Sequence, residues 1–89
     1  MTESLLINAC LTGMVPTKDR CPDLPVTPAE IIADALAVHR LGASIVHIHA
    51  RGHDQQPTWD PGVYREIFAE LRRAAPALIL CASTSGRLW

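Results

Sequence analysis

The 89-residue sequence has no excess of either charge, with eight basic and nine acidic residues and a formal net charge of −1. That balance leaves no electrostatic footprint for nucleic acid or for an anionic membrane surface. Long apolar runs are also missing: stretches such as Ala77–Ala82 fall far short of the roughly 20 residues needed to cross a bilayer. The opening MTESLLINAC lacks the positive stretch and long apolar core of a secretory signal. The three cysteines, Cys10, Cys21 and Cys81, form no CxxC pair. An odd, scattered set argues against a disulfide scaffold and fits a reducing compartment, so a cytoplasmic protein is expected. No GxGxxG and no GxxxxGK[ST] occurs, so a nucleotide-binding α/β domain has no phosphate loop behind it.

What is present is apolar: 48% hydrophobic residues against 19% charged, which excludes disorder. For so short a chain this anticipates a surface covered by a partner or by the rest of its own domain. A homo-oligomer is therefore expected.

Local signals give a repeating order. Ser4–Cys10 reads as a short strand buried on both faces. A loop broken by Gly13, Pro16, Pro22 and Pro25 follows. Thr27, Pro28 and Glu30 then form a capping-box start. Ile31, Ile32, Ala35, Leu36 and Val38 continue it as a helical stripe that Gly42 stops. Ala43–Ala50 is a second strand, and a loop over Gly52–Thr58 leads to a second cap at Asp60-Pro61. Val63, Tyr64, Ile67, Phe68 and Leu71 mark the second helix, with Arg72 and Arg73 near its end. Leu78–Ala82 is the third strand, and Ser83–Gly86 is turn-like. Strand, helix, strand, helix, strand implies βαβ units and a parallel sheet, in a barrel or a doubly wound fold equally. No helix covers the third strand, so residues 1–89 are expected to be one partial domain: a truncation, or a protomer that must associate.

Chemistry concentrates on the second strand. His47 and His49 sit at i and i+2, on one face about 6.5 Å apart, while Val46, Ile48 and Ala50 point the other way. Two imidazoles near the C-terminal end of a parallel strand can converge on one metal, or can be a hydrogen-bonded core pair. Arg51 continues that face and could hold a carboxylate or an anionic substrate, or form an ion pair at a barrel rim. His39, on a helix, and His53, beside Asp54, read as solvated. The hydroxyls and backbone N–H groups of Ser83-Thr84-Ser85-Gly86 could hold a carboxylate or phosphate, or form an ordinary turn. Cys10 and Cys81 read as core residues.

Five ordered segments, NACLTGMVPTK, LPVTPAEI, GASIVHIHAR, PTWDPGVYREI and STSGR, resemble the β-keto acid cleavage enzymes, the family of 3-keto-5-aminohexanoate cleavage enzyme. The resemblance spans about Leu6 to Trp89. It implies the N-terminal strand-helix-strand-helix-strand part of a (β/α)8 TIM barrel. It implies a Zn2+ site whose histidines match His47 and His49 and whose third ligand, a glutamate, is not in this sequence. The general base, an aspartate, and a carboxylate-binding arginine also belong to the part not present. Substrate contacts match Ser83 and Gly86, with Thr84 between them. The reaction implied is acyl exchange between a β-keto acid and acetyl-CoA, giving acetoacetate and a new acyl-CoA, with the 89 residues inactive alone. One departure stands out: Val15 replaces the glutamate that holds the substrate's amino group in the aminohexanoate enzyme. The alternative is a non-catalytic remnant or small metal-binding module that self-associates.

Overall fold

The computed structural model describes residues 5–13 and 15–83. Its elements are β1 (Asn8–Cys10), α1 (Pro28–Arg40), β2 (Ile45–Ile48), α2 (Pro61–Ala74) and β3 (Ile79–Ala82). The strands form one parallel sheet in the order β1-β2-β3. Cys10 pairs with His47, and His47 with Cys81. The chain order is therefore as the sequence implies, and the sheet is compatible with part of an α/β barrel.

Both helices lie against the same face of the sheet. Ile31 and Ala35 of α1, Ile67 and Leu71 of α2, and Val46, Ile48 and Ala50 around β2 form one buried cluster. The opposite face carries Asn8, Cys10, Ile45, His47, Ile79 and Cys81 by register, and is half-buried to exposed. The core is thus one-sided among the described residues.

Two expectations about burial are corrected by that arrangement. The first apolar run is not buried on both faces: Leu5 is 82% exposed and Leu6 70%. Among the described residues β1 is a sheet edge, and before Asn8 the pairing is extended by Ile7, whose carbonyl accepts from Ser44 and Ile45 N–H at 3.1 and 3.2 Å. Cys10 is exposed rather than core, and Cys81 is half-buried, because their register puts both beside His47 on the open face. All three cysteines are free.

The helix starts follow the local chemistry. Thr27 Oγ1 accepts from Glu30 N–H at 3.1 Å, and Glu30 Oε1 accepts from Thr27 N–H at 3.0 Å. This reciprocal pair satisfies two donors that the first turn would otherwise leave open. Removing the cap oxygen (Thr27→Ala) should cost about 1 kcal/mol in a urea titration. Glu30 Oε2 also accepts from Lys18 Nζ at 2.8 Å. The lysine contact first, then the Thr27 and Val26 N–H groups, hold the Glu30 carboxyl down at about 2 against its usual 4.5. A carboxylate depressed in the folded state stabilises fully above its unfolded pKa and loses that contribution on acidification. Stability should therefore fall between pH 4.5 and about 2, with a modest slope for a solvent-accessible group. Glu30→Gln should flatten that limb, as read by urea midpoints across the window. α2 begins on Asp60, whose Oδ1 accepts from Gly62 N–H at 2.9 Å.

α1 ends with Gly42 at φ +117°, a conformation that suits glycine. There His39 departs from its expected solvated role: it is half-buried, and Nδ1 lies 2.8 Å from the Ala43 carbonyl.

Candidate functional site

His47 lies within β2 and His49 one residue past its end. The flanking Val46, Ile48 and Ala50 are 0%, 1% and 1% exposed. Their burial under the helices commits the alternate positions to the opposite face. The two imidazole rings are 5.2 Å apart between centres, tilted by 47°. A metal 2.0–2.1 Å from an imidazole nitrogen sits about 3.2 Å from the ring centre, so two rings at a tetrahedral angle have centres about 5 Å apart. The observed separation is of that size. Burial, followed by repulsion from His47 and Arg51, holds the His49 pKa below its usual value. The imidazole is thereby kept in the neutral form that binds metal. Among the described residues, no group of three His, Cys, Asp or Glu side chains assembles as a metal site; a metal held by this pair would require further ligands from outside them.

Arg51 is 3% exposed, and its guanidinium is engaged in a manner the sequence does not suggest. Nε and Nη2 donate to the Gly13 carbonyl at 3.3 and 2.8 Å, and Nη1 donates to the carbonyls of Pro16 at 2.8 Å and Gln55 at 2.7 Å. Four of its five N–H donors are committed to backbone. Neither the substrate-carboxylate role nor the rim ion pair describes this arrangement. Arg51 fastens the loop after β1 to the loop after β2. Gln55 completes the clamp: it takes φ +66°, uncommon for a residue with a Cβ, and its Oε1 accepts from Lys18 N–H at 2.8 Å. Val15 lies between two of the clamped carbonyls and is 67% exposed.

Ser83 is 7% exposed at the end of β3. Its N–H donates to the Ile48 carbonyl at 2.9 Å, so that N–H is spent on the sheet and is not an open anion donor. Thr84, Ser85 and Gly86 lie outside the described residues. His53 and Asp54 are exposed in the loop after β2. A cavity of about 490 Å³ opens between the two loops and the two helix starts, with Lys18, Thr27, Arg51, His53, Asp60 and Glu66 among its walls. Neither His47 nor His49 lines it, so cavity and histidine pair are separate features.

Tyr64 is the participant that the sequence reading placed only in a helical stripe. Its hydroxyl accepts from Ala50 N–H at 3.2 Å and donates to the Ser83 carbonyl at 2.8 Å. A tyrosine among aliphatic positions is itself a weak signal, since a buried hydroxyl usually has a partner.

Residues 4–89 match the family described as beta-keto acid cleavage enzyme. The chain is 33% identical over 87 residues to the 3-oxoadipate:acetyl-CoA acetyltransferase of Cupriavidus necator, covering 98% of this chain and 31% of that protein. It is 37% identical over 86 residues to the 3-keto-5-aminohexanoate cleavage enzyme of Fusobacterium nucleatum, covering 97% and 32%. It is 40% identical over 76 residues to the 3,5-dioxohexanoate:acetyl-CoA acetone transferase of Paraburkholderia graminis, covering 84% and 24%. The chain thus spans about a third of the length of the curated relatives it matches or less.

Proposed function

The chain belongs to the β-keto acid cleavage enzyme family, and we propose that it forms the N-terminal portion of a zinc-dependent acyltransferase built on a (β/α)8 barrel. The proposed reaction joins a β-keto acid and acetyl-CoA. The bond between the β-carbonyl and the α-carbon breaks, the α-carbon takes the acetyl group to give acetoacetate, and coenzyme A leaves with the original acyl group. The observation that carries this reading is the 5.2 Å imidazole pair at the C-terminal end of β2, in a chain matched to this family along residues 4–89.

His47 and His49 would hold the zinc ion, with a carboxylate from outside this chain as third ligand. Zinc so held supplies Lewis acidity toward the β-keto oxygen. The chain's own contribution is positional. The buried Val46, Ile48 and Ala50 anchor the strand, and the depressed His49 pKa keeps that ligand neutral. Ser83, Thr84 and Gly86 would contact substrate past β3. With aliphatic Val15 where a carboxylate would balance a cationic tail, a β-keto acid with an uncharged tail is the favoured substrate. Among the described residues β1 and β3 each have one edge without a strand beside it, to be covered by further strands of the barrel or, in these 89 residues alone, by further copies. Cytoplasmic placement rests on the scattered, free cysteines. Among the described residues, no helix is long and apolar enough to cross a membrane.

The test is zinc per chain after dialysis, in the whole protein, where the third ligand is present, and in its His47→Ala, His49→Ala double variant. Near-stoichiometric zinc in the wild type, lost in the variant, is the expected result. No zinc in either protein sinks the metal assignment. Acetyl-CoA assayed with a panel of β-keto acids is expected to give no robust turnover with these 89 residues alone, because the base and third ligand lie elsewhere.

A further inference from the structure

The geometry points to Tyr64 as a positioning residue for the histidine pair, an inference that rests on the zinc reading above. The backbone ladder between β2 and β3 ends at Ile48 and Ala82, and the last link is Ser83 N–H to the Ile48 carbonyl at 2.9 Å. His49 lies immediately beyond that link. The Tyr64 hydroxyl bridges the two strands past this point: it accepts from Ala50 N–H at 3.2 Å and donates to the Ser83 carbonyl at 2.8 Å. The Ile48 carbonyl is 3.5 Å from the same oxygen. One hydroxyl thus sits beside the backbone on both sides of His49.

The Ala50 N–H belongs to the peptide that follows His49. Fixing that peptide plane restricts ψ of His49, and with the preceding peptide held by the ladder this fixes the direction of the Cα–Cβ bond from which the ring departs. The hydroxyl therefore continues the strand geometry for one residue longer than the ladder does, and that residue is a metal ligand in the proposed site. The Tyr64 ring lies edge-on to Phe68, 5.9 Å between centres, while its position is fixed by the hydroxyl's own bonds to Ala50 and Ser83. Groups that orient a ligand without touching the metal commonly govern affinity, with losses of about 10–100-fold on removal.

Tyr64→Phe keeps the ring and its contact with Phe68 and deletes only the bridge. Zinc affinity by chelator competition, thermal stability, and hydrogen exchange at the Ala50 amide should be measured in the whole protein. A Phe68→Leu variant is the control, since it disturbs the same part of α2 and leaves the hydroxyl in place. Tyr64→Phe should weaken zinc binding about 10–100-fold and speed exchange at Ala50 while exchange at Val46 is unchanged. Phe68→Leu should lower the melting temperature with affinity unaltered. Unchanged affinity in Tyr64→Phe overturns the inference, as does a loss in Phe68→Leu that tracks stability in the same proportion. Should wild type take up no zinc, the zinc reading fails. The Tyr64 role is then decided by Ala50 exchange: faster exchange in the variant supports it, and unchanged exchange overturns it.

Discussion

Arg51→Met is expected to destabilise the fold by about 2–3 kcal/mol, a large loss for a chain of this length. Methionine preserves an unbranched stem and deletes the donors. Two effects oppose each other. Removing a guanidinium that is only 3% exposed relieves its desolvation, which burial already registers as a lowered pKa. Against this, the carbonyls of Gly13, Pro16 and Gln55 lose donors at 2.7–2.8 Å, and an inward carbonyl without a donor costs about 1–3 kcal/mol. Three such carbonyls outweigh one relieved charge that still had good partners. Arg51→Lys should recover only part of the loss, because an ammonium lacks the planar fork that reaches both loops at once. Urea denaturation of the three proteins decides the matter. A Met variant within about 0.5 kcal/mol of wild type would place Arg51 with ordinary surface residues and dispose of the clamp.

The second large effect is expected at Ile48, which is 1% exposed between the two histidines, on the opposite face. Ile48→Ala should cost about 2–4 kcal/mol, from lost burial and the cavity left under the helices. Ile79→Ala is the informative comparison. Ile79 lies on the histidine face and is 54% exposed, so its truncation should stay within about 0.5 kcal/mol. Equal losses at the two positions would contradict a one-sided core and would mean that the histidine face is covered in solution. Repeating the Ile79→Ala measurement at several protein concentrations then tells whether a second copy is the cover, since dimer stability depends on concentration.

These effects mark where sequence was informative. Both helix starts were legible because caps are local: Thr27, Pro28 and Glu30, and Asp60 with Pro61, carry their own hydrogen-bonding instructions. The histidine pair was legible because strand alternation needs no knowledge of distant residues, only that Val46, Ile48 and Ala50 be aliphatic. The strands are shorter than the apolar runs that contain them, because pairing extends only as far as a neighbouring backbone runs alongside. Burial of Leu5 and Leu6 was misjudged for a related reason, since an apolar residue is buried only if something covers it. Arg51 was beyond reach. Its partners Gly13 and Pro16 are 38 and 35 residues away in sequence, and they contribute carbonyls that leave no mark on residue identity. His39 was read as solvated although a backbone oxygen four positions on was within reach.

That same absence of a mark has an evolutionary consequence. The clamp grips main chain, which every residue type possesses, and Val15 sits between two gripped carbonyls with its side chain 67% exposed. Exchanging the side chain at position 15 therefore need not loosen the scaffold that presents it. A loop fastened in this way is a socket with a replaceable insert. It allows charge, size and polarity in the loop after β1 to drift by single substitutions while the clamp keeps its partners.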